Sequence, residues 1–327
     1  MRATFIAWTR FDHRSQLLAK NLGATMHFVF HGQQGKLFQL PCRYFTQGLH
    51  TWRILIHEHP DIIFVQNPPI FSVLVAFLYS KLHKARYVID SHTAAFLSPI
   101  WRRTLGLQCA LSRQALATIV HNESQEEIVK IWGCNYHVLS DPLKGYPKGT
   151  LFPLAKGFNI AVISTFSEDE PLEVVFESAG LLTDVAFYIT GDSKRIPSSL
   201  LAKKPANCQL TGFLPYDQYV GLLKGVDVIM DLTTRDHTLL CGAFEAVSLG
   251  KPLITSNWKI LRNHFPIGTI HIPNTAEGVC EGIRQAQLEL STLQRDILIL
   301  KEKLLVEWDQ KFAKLLQLLS ESRDKEN

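Results

Sequence analysis

Short apolar runs rich in β-branched residues alternate along this chain with stretches whose apolar positions recur every three or four residues. In the first half the runs are Thr4–Trp8, His27–Phe30, Ile62–Val65, Tyr87–Ile89 and Thr118–His121, separated by helical patterns at Ser15–Leu22, Leu49–His57, Phe71–Leu82 and Ser124–Trp132. Parallel strands need a crossover of that kind, so the alternation predicts repeated βαβ units. Around Ser140 the pattern stops, and SDPLKGYPKGTLFPLAKG has the proline and glycine content of an interdomain linker. A second alternation follows, with strands at Asn159–Ile163, Ala186–Thr190, Val226–Met230, Pro252–Thr255 and Thr269–His271. Its helices lie near Pro171–Ala179, Tyr216–Leu223, Gly242–Leu249 and Ala276–Leu290. The expected fold class is α/β: two Rossmann-like domains, residues 1–150 and 151–300, facing each other across a cleft. From Leu293 to Ser320 the chain is dense in Leu, Glu and Lys at helical spacing, which predicts a C-terminal helix over 301–327 that returns to the first domain.

Composition narrows the class. With 327 residues, 46% hydrophobic and 20% charged, the chain is globular and too long for one typical α/β domain. No apolar run reaches the length of a membrane span, and Ile70–Tyr79 is expected to be a core helix. The N-terminus, MRATFIAWTR, starts a strand at once rather than a signal sequence, so a cytoplasmic protein is expected. Six cysteines lie far apart without a C-x-x-C pair, and thirteen histidines lack H-E-x-x-H spacing. Neither a dedicated metal site nor a disulfide framework is expected. G-x-x-x-x-G-K-[ST] and G-x-G-x-x-G are both missing, which argues against P-loop and standard dinucleotide chemistry. Up to Ser140 there are 14 Lys or Arg against 7 Asp or Glu, whereas the remainder has 20 against 23. The basic half suits an acidic acceptor or an anionic membrane surface; no nucleic-acid partner is expected.

The most informative stretch is Leu232–Ser256, LTTRDHTLLCGAFEAVSLGKPLITS, a loop, helix and strand following the strand Val226–Met230. Ligands of open parallel sheets sit beyond the carboxyl ends of the strands, which places Arg235, His237, Leu240, Cys241 and Gly242 at a ligand. The helix start there favours an anion. In the first half, Asp90 and His92 end a strand, so either one is placed to deprotonate a hydroxyl. Arg10 and Arg14, in the first strand-to-helix loop, are candidates for a phosphate of donor or acceptor.

From Ile163 onward the sequence resembles glycosyltransferases of the GT-B fold, on ISTFSEDEPLEVVFESAGLL, YITGD, LTGFLPYDQYVGLLKGVDVIMDLTT and CGAFEAVSLGKPLITS. In the first domain, PDIIFVQNPP followed by YVIDSH is similar to the β-1,4-mannosyltransferases that extend lipid-linked chitobiose. The resemblance implies a nucleoside diphosphate sugar, a UDP- or GDP-sugar, as donor substrate and no tightly bound cofactor. It also implies that Glu245 contacts the donor ribose, that the turn at Gly191 approaches the nucleotide, and that Phe213 flanks the base. Two departures stand out. His237 occupies the place where many relatives carry a first glutamate, and Ser164, Thr165, Ser167 and an acidic run replace the Arg and Lys that clamp the diphosphate.

The implied activity is transfer of a hexose to a glycan or lipid-linked acceptor, in surface polysaccharide or glycoconjugate synthesis. AAFLSPIWRR either offers the first domain a peripheral membrane contact or buries Phe96 and Trp101 in its core. The alternatives are a nucleotide-sugar 2-epimerase and a noncatalytic partner subunit that binds the nucleotide sugar without turnover.

Overall fold

The computed structural model describes residues 2–31 and 40–324. Its contacts divide the chain into two units: residues up to Pro142 together with those from Trp308 onward, and Leu143–Glu307. In the first, β1 (Ala3–Ala7), β2 (Thr25–Phe28), β3 (Ile62–Asn67), β4 (Arg86–Ser91), β5 (Ala117–Val120) and β6 (Tyr136–Val138) form a wholly parallel sheet. Its order is β2-β1-β3-β4-β5-β6. Strands β1 and β3 are buried at every position because helices cover both faces, which is why they read as unbroken apolar runs.

The second unit holds β7 (Phe158–Val162), β8 (Val185–Thr190), β9 (Cys208–Gly212), β10 (Val228–Asp231), β11 (Leu253–Ser256) and β12 (Thr269–Ile272), again all parallel. The order β12-β11-β10-β7-β8-β9 reverses direction between β7 and β10, the switch point at which a doubly wound sheet opens a crevice. Apolar clusters fill both faces of this sheet, one around Phe176, Phe187 and Met230, the other around Phe244, Leu253 and Phe265.

Two strands were not anticipated. β6 and β9 are the edges of their sheets, and their side chains are mostly half-exposed, so neither carries the apolar run that marks a central strand. The second helix begins at Leu40 rather than Leu49. The C-terminal pattern forms one continuous helix of 49 residues, Ala276–Asp324. The segment expected to be a linker is instead laced to the second unit from Leu143 onward. Lys144 N–H donates to Ser248 Oγ at 3.1 Å, Ala155 N–H donates to Tyr188 Oη at 2.7 Å, and Phe152 and Leu154 pack against its core. No helix among the described residues is long and apolar enough to cross a membrane.

Candidate functional site

In the first unit the strand ends gather a sealed charge cluster. Arg14 lies on the helix His13–Asn21, whose start is capped by Asp12 accepting from Ser15 N–H at 2.7 Å. That places the guanidinium against Asp90 at the end of β4, at 3.1 Å from Nη2 to Oδ1. The same group donates to Asp141 at 2.8 Å and to the Leu139 carbonyl at 2.9 Å. His92 Nε2 stands 3.2 Å from Asp90 Oδ2, and His121 Nε2, just beyond β5, is 3.6 Å from Oδ1. Burial alone would raise the Asp90 carboxyl, but Arg14, His92 and His121 hold it well below the usual carboxylate range. Burial works against the charged form of His92 too, yet Asp90 prevails and raises it. Burial and Arg14 push His121 down to about 4. One imidazole is therefore drawn towards its charged form and its neighbour is kept neutral.

The ligand atoms of Asp90, His92 and His121 lie within 4.8 Å of one another, close enough to hold a metal ion. The guanidinium of Arg14 already lies along the Asp90 carboxylate, however, and would repel a cation there. The cluster fits a hydrogen-bonded acid–base relay better than a metal centre.

In the second unit the corresponding features surround the switch point. Glu245, on the helix Cys241–Leu249, is mostly buried; it accepts from Tyr219 Oη at 2.5 Å and has Lys144 Nζ at 3.5 Å. Tyr146 lies near the same carboxylate, and burial followed by the Glu245 charge raises its hydroxyl. A carboxylate has about four lone-pair positions, so Tyr219 and Lys144 fix Glu245 while leaving acceptor capacity. Asp231, ending β10, takes the backbone N–H groups of Gly242 and Ala243 at the tip of that helix. Burial, reinforced by Glu170 and Glu245, pushes its carboxyl well above the usual range. A side chain at Gly242 would collide with Asp231 Oδ2, which accounts for the glycine.

The loop after β7 folds around its own acid. Glu170 accepts from Ser164 Oγ at 2.5 Å, Thr165 N–H at 2.8 Å, Thr165 Oγ1 at 2.8 Å and Ser167 N–H at 3.3 Å. Its neighbour Asp169 binds Thr233 Oγ1 at 2.9 Å and Arg235 Nη2 at 3.2 Å. Together the acidic run ties the end of β7 to the end of β10. The hydroxyl and N–H donors of the loop after β7 are thus engaged by a carboxylate of this chain.

Against these positions the expected residues sort clearly. Asp90 and His92 come together, but Asp90 is wholly enclosed by Arg14 and two histidines and has no open side for a hydroxyl, which speaks against it as a base. Arg14 is likewise no phosphate ligand, because it is buried and its donors serve Asp90, Asp141 and Leu139. Arg10 is exposed, stacked 5.0 Å over Phe30. Thr165 and Arg235 sit on the two joined loops, and Leu240, Cys241 and Gly242 start the Glu245 helix, where the Gly242 N–H is taken by Asp231 rather than left for an anion. His237 has a positive φ of 65° and a half-exposed ring 3.4 Å from Asp236. Gly191 is required by close approach: at φ 111° a Cβ would strike the Ser164 carbonyl. Phe213 is 84% exposed, at the end of β9.

His121, Asp141, Lys144, Tyr146, Glu170, Tyr219 and Asp231 were not legible as site residues in the sequence. His121 had the same signal as His92, a histidine ending an apolar strand; Lys144 and Tyr146 were hidden in a segment with linker composition.

No family model matches the chain, and no curated protein does. Among solved structures it is similar to sucrose-phosphate synthase from Thermosynechococcus elongatus, with a TM-score of 0.74 at 12% identity over 99% of this chain and 100% of that one. It is also similar to HepE from Anabaena in complex with UDP-glucose, with a TM-score of 0.72 at 12% identity over 97% and 99%. The UDP-GlcNAc 2-epimerase from Methanocaldococcus jannaschii has a TM-score of 0.57 at 15% identity over 87% and 92%. With two wholly parallel six-stranded sheets and a long C-terminal helix, the chain has the GT-B fold of the glycosyltransferases it resembles.

Proposed function

We propose that this protein is a glycosyltransferase that moves a hexose from a nucleoside diphosphate sugar to the hydroxyl of a glycan or lipid-linked acceptor, at a membrane surface. The observation that carries this reading is Glu245, held by Tyr219 and Lys144 beside the switch point of the second unit. Two carboxylate oxygens suit the 2′- and 3′-hydroxyls of a ribose. HepE, whose fold is similar, is a UDP-glucose complex, which supports a UDP-sugar as donor. Arg235, tied to Asp169 and largely exposed, supplies a guanidinium for the diphosphate.

In the first unit His92 is the base. With Nε2 turned to Asp90, its Nδ1 takes the proton of the acceptor hydroxyl as the new C1–O bond forms. The old C1–O bond breaks, and its electron pair leaves with the nucleoside diphosphate.

The test is thermal denaturation with UDP- and GDP-sugars, followed by nucleoside diphosphate release with an acceptor-lipid extract. One donor at about a hundred times its Kd should stabilise the protein by about 2.7 kcal/mol, and Glu245→Ala should abolish the shift. A panel without any shift overturns the reading. A shift without diphosphate release supports the partner subunit, and C2 inversion of the donor without release supports the epimerase.

A further inference from the structure

The first unit carries an apolar groove of about 640 Å³ between the helices Leu40–Glu58 and Ile70–Leu82. Tyr44, Phe45 and Leu49 line it from the first helix, Phe71, Leu74 and Leu78 from the second, and among the described residues no charged side chain lines it. This is not an ordinary core, since Phe45 is 68% exposed, Leu49 45% and Leu78 47%. A row of such residues in water is unfavourable unless something covers it.

The charges around the groove indicate what does. From Leu40 to Gln114 there are eight Lys or Arg against three Asp or Glu. Each of those three carboxylates has a partner: Glu58 binds His27 and Thr4, Asp61 accepts from the Arg2 N–H, and Asp90 is sealed by Arg14. The cations are displayed on the groove's own elements. Arg53 is exposed on the first helix and Lys81 on the second, while Trp101 touches the rings of Tyr44 and Phe71 and precedes the exposed pair Arg102 and Arg103. An apolar slot with aromatic walls and a cationic surround complements an anionic bilayer, whose chains match the slot and whose head groups match the rim.

We propose that this groove docks the first unit onto an anionic lipid bilayer by admitting the hydrocarbon chain of a membrane lipid. The inference rests on the reading of the protein as a transferase with a lipid-linked acceptor, and it names the element that brings the enzyme to that acceptor. Neither long helix spans the bilayer in this arrangement; the groove rests at its surface.

The experiment uses the full chain and vesicles of phosphatidylcholine alone or mixed in equal parts with phosphatidylglycerol. Sedimentation with the mixed vesicles should exceed that with the neutral ones by roughly tenfold or more and fall at high salt. Phospholipids brominated along the acyl chain should quench tryptophan fluorescence, because Trp8 and Trp52 lie in the groove, and Trp52→Phe should reduce the quenching. Leu49→Glu and Leu78→Glu, at sites already open to water, should remove both signals without changing the melting temperature.

Vesicle binding without chain quenching would mean adsorption to head groups only, and would overturn the proposal. So would a dimer in light scattering that the same substitutions dissolve, since a second copy would then cover the groove. A lowered melting temperature in Leu49→Glu would assign the groove to packing within the chain. The nucleotide-sugar melting shift is read on the same variants. Its retention with failed vesicle binding sinks only the docking surface, and its absence with intact vesicle binding sinks only the donor reading.

Discussion

A carboxylate removed from water survives as an anion only if cations and donors replace the lost hydration, and Asp90 has Arg14, His92 and His121 around it. The chemical consequence falls on His92. Its Nε2 is turned towards a permanent negative charge, so its protonated form is favoured and its value lies above the ordinary 6.5. A base works in its neutral form; turnover should therefore rise with pH through that raised value and level off above it. Asp90→Asn keeps the shape and removes the charge, so the rising limb should move to lower pH and the plateau should fall. The pH profile of kcat separates this from a folding defect, because a damaged fold lowers the whole curve without moving its limb. His92→Gln should lower kcat by roughly two to four orders of magnitude, the range of general base catalysis.

The helix Cys241–Leu249 shows how an element can occupy its own binding surface. A helix start attracts anions, yet here Asp231, whose carboxyl burial pushes well above the usual range, accepts from Gly242 and Ala243. An acid whose folded value is raised gives its full stability only below its unfolded value, about 3.8, and loses it as pH rises towards the folded one. Asp231→Asn keeps an acceptor for both N–H groups without the proton uptake. Its melting temperature should exceed that of the parent by an amount that grows between about pH 4 and pH 7; a gap that shrinks over that range refutes the assignment. The helix itself was legible in the sequence, from Gly250 closing it in the left-handed region to the buried Ala243, Phe244, Ala246 and Val247. The central strands were legible for the same reason, since burial on both faces writes unbroken apolar runs. The edges β6 and β9 were not, because half-exposed strands leave no such mark. The candidate site was legible at Glu245 and His92 but not in what holds them. Tyr219 and Lys144 reach Glu245 from distant parts of the chain, and a buried Arg14 looks in sequence like any loop cation.

At the scale of the molecule, the last helix supplies core residues to both units. Ile297, Leu300 and Leu304 enter the core of the second unit, whereas Leu315 and Leu319, with Trp308 and Phe312 beside them, enter that of the first. The division falls between Glu307 and Trp308, within an unbroken run of backbone hydrogen bonds. Two cores of this kind need not melt together, and a single unfolding free energy is then not defined for the chain. Leu300 and Leu315 are both fully buried, so truncating either to alanine should cost about 2–5 kcal/mol, each in its own unit. Hydrogen exchange followed by mass spectrometry reads the two separately. Leu300→Ala should accelerate exchange in β7, β10 and β11 while sparing β1 and β3, and Leu315→Ala should do the reverse. Saturating nucleotide sugar should restore protection in Leu300→Ala and leave Leu315→Ala unprotected in the first sheet, because mass action stabilises the unit that holds the ligand. Equal acceleration in both sheets by either substitution would show that the continuous helix makes the two cores one cooperative unit.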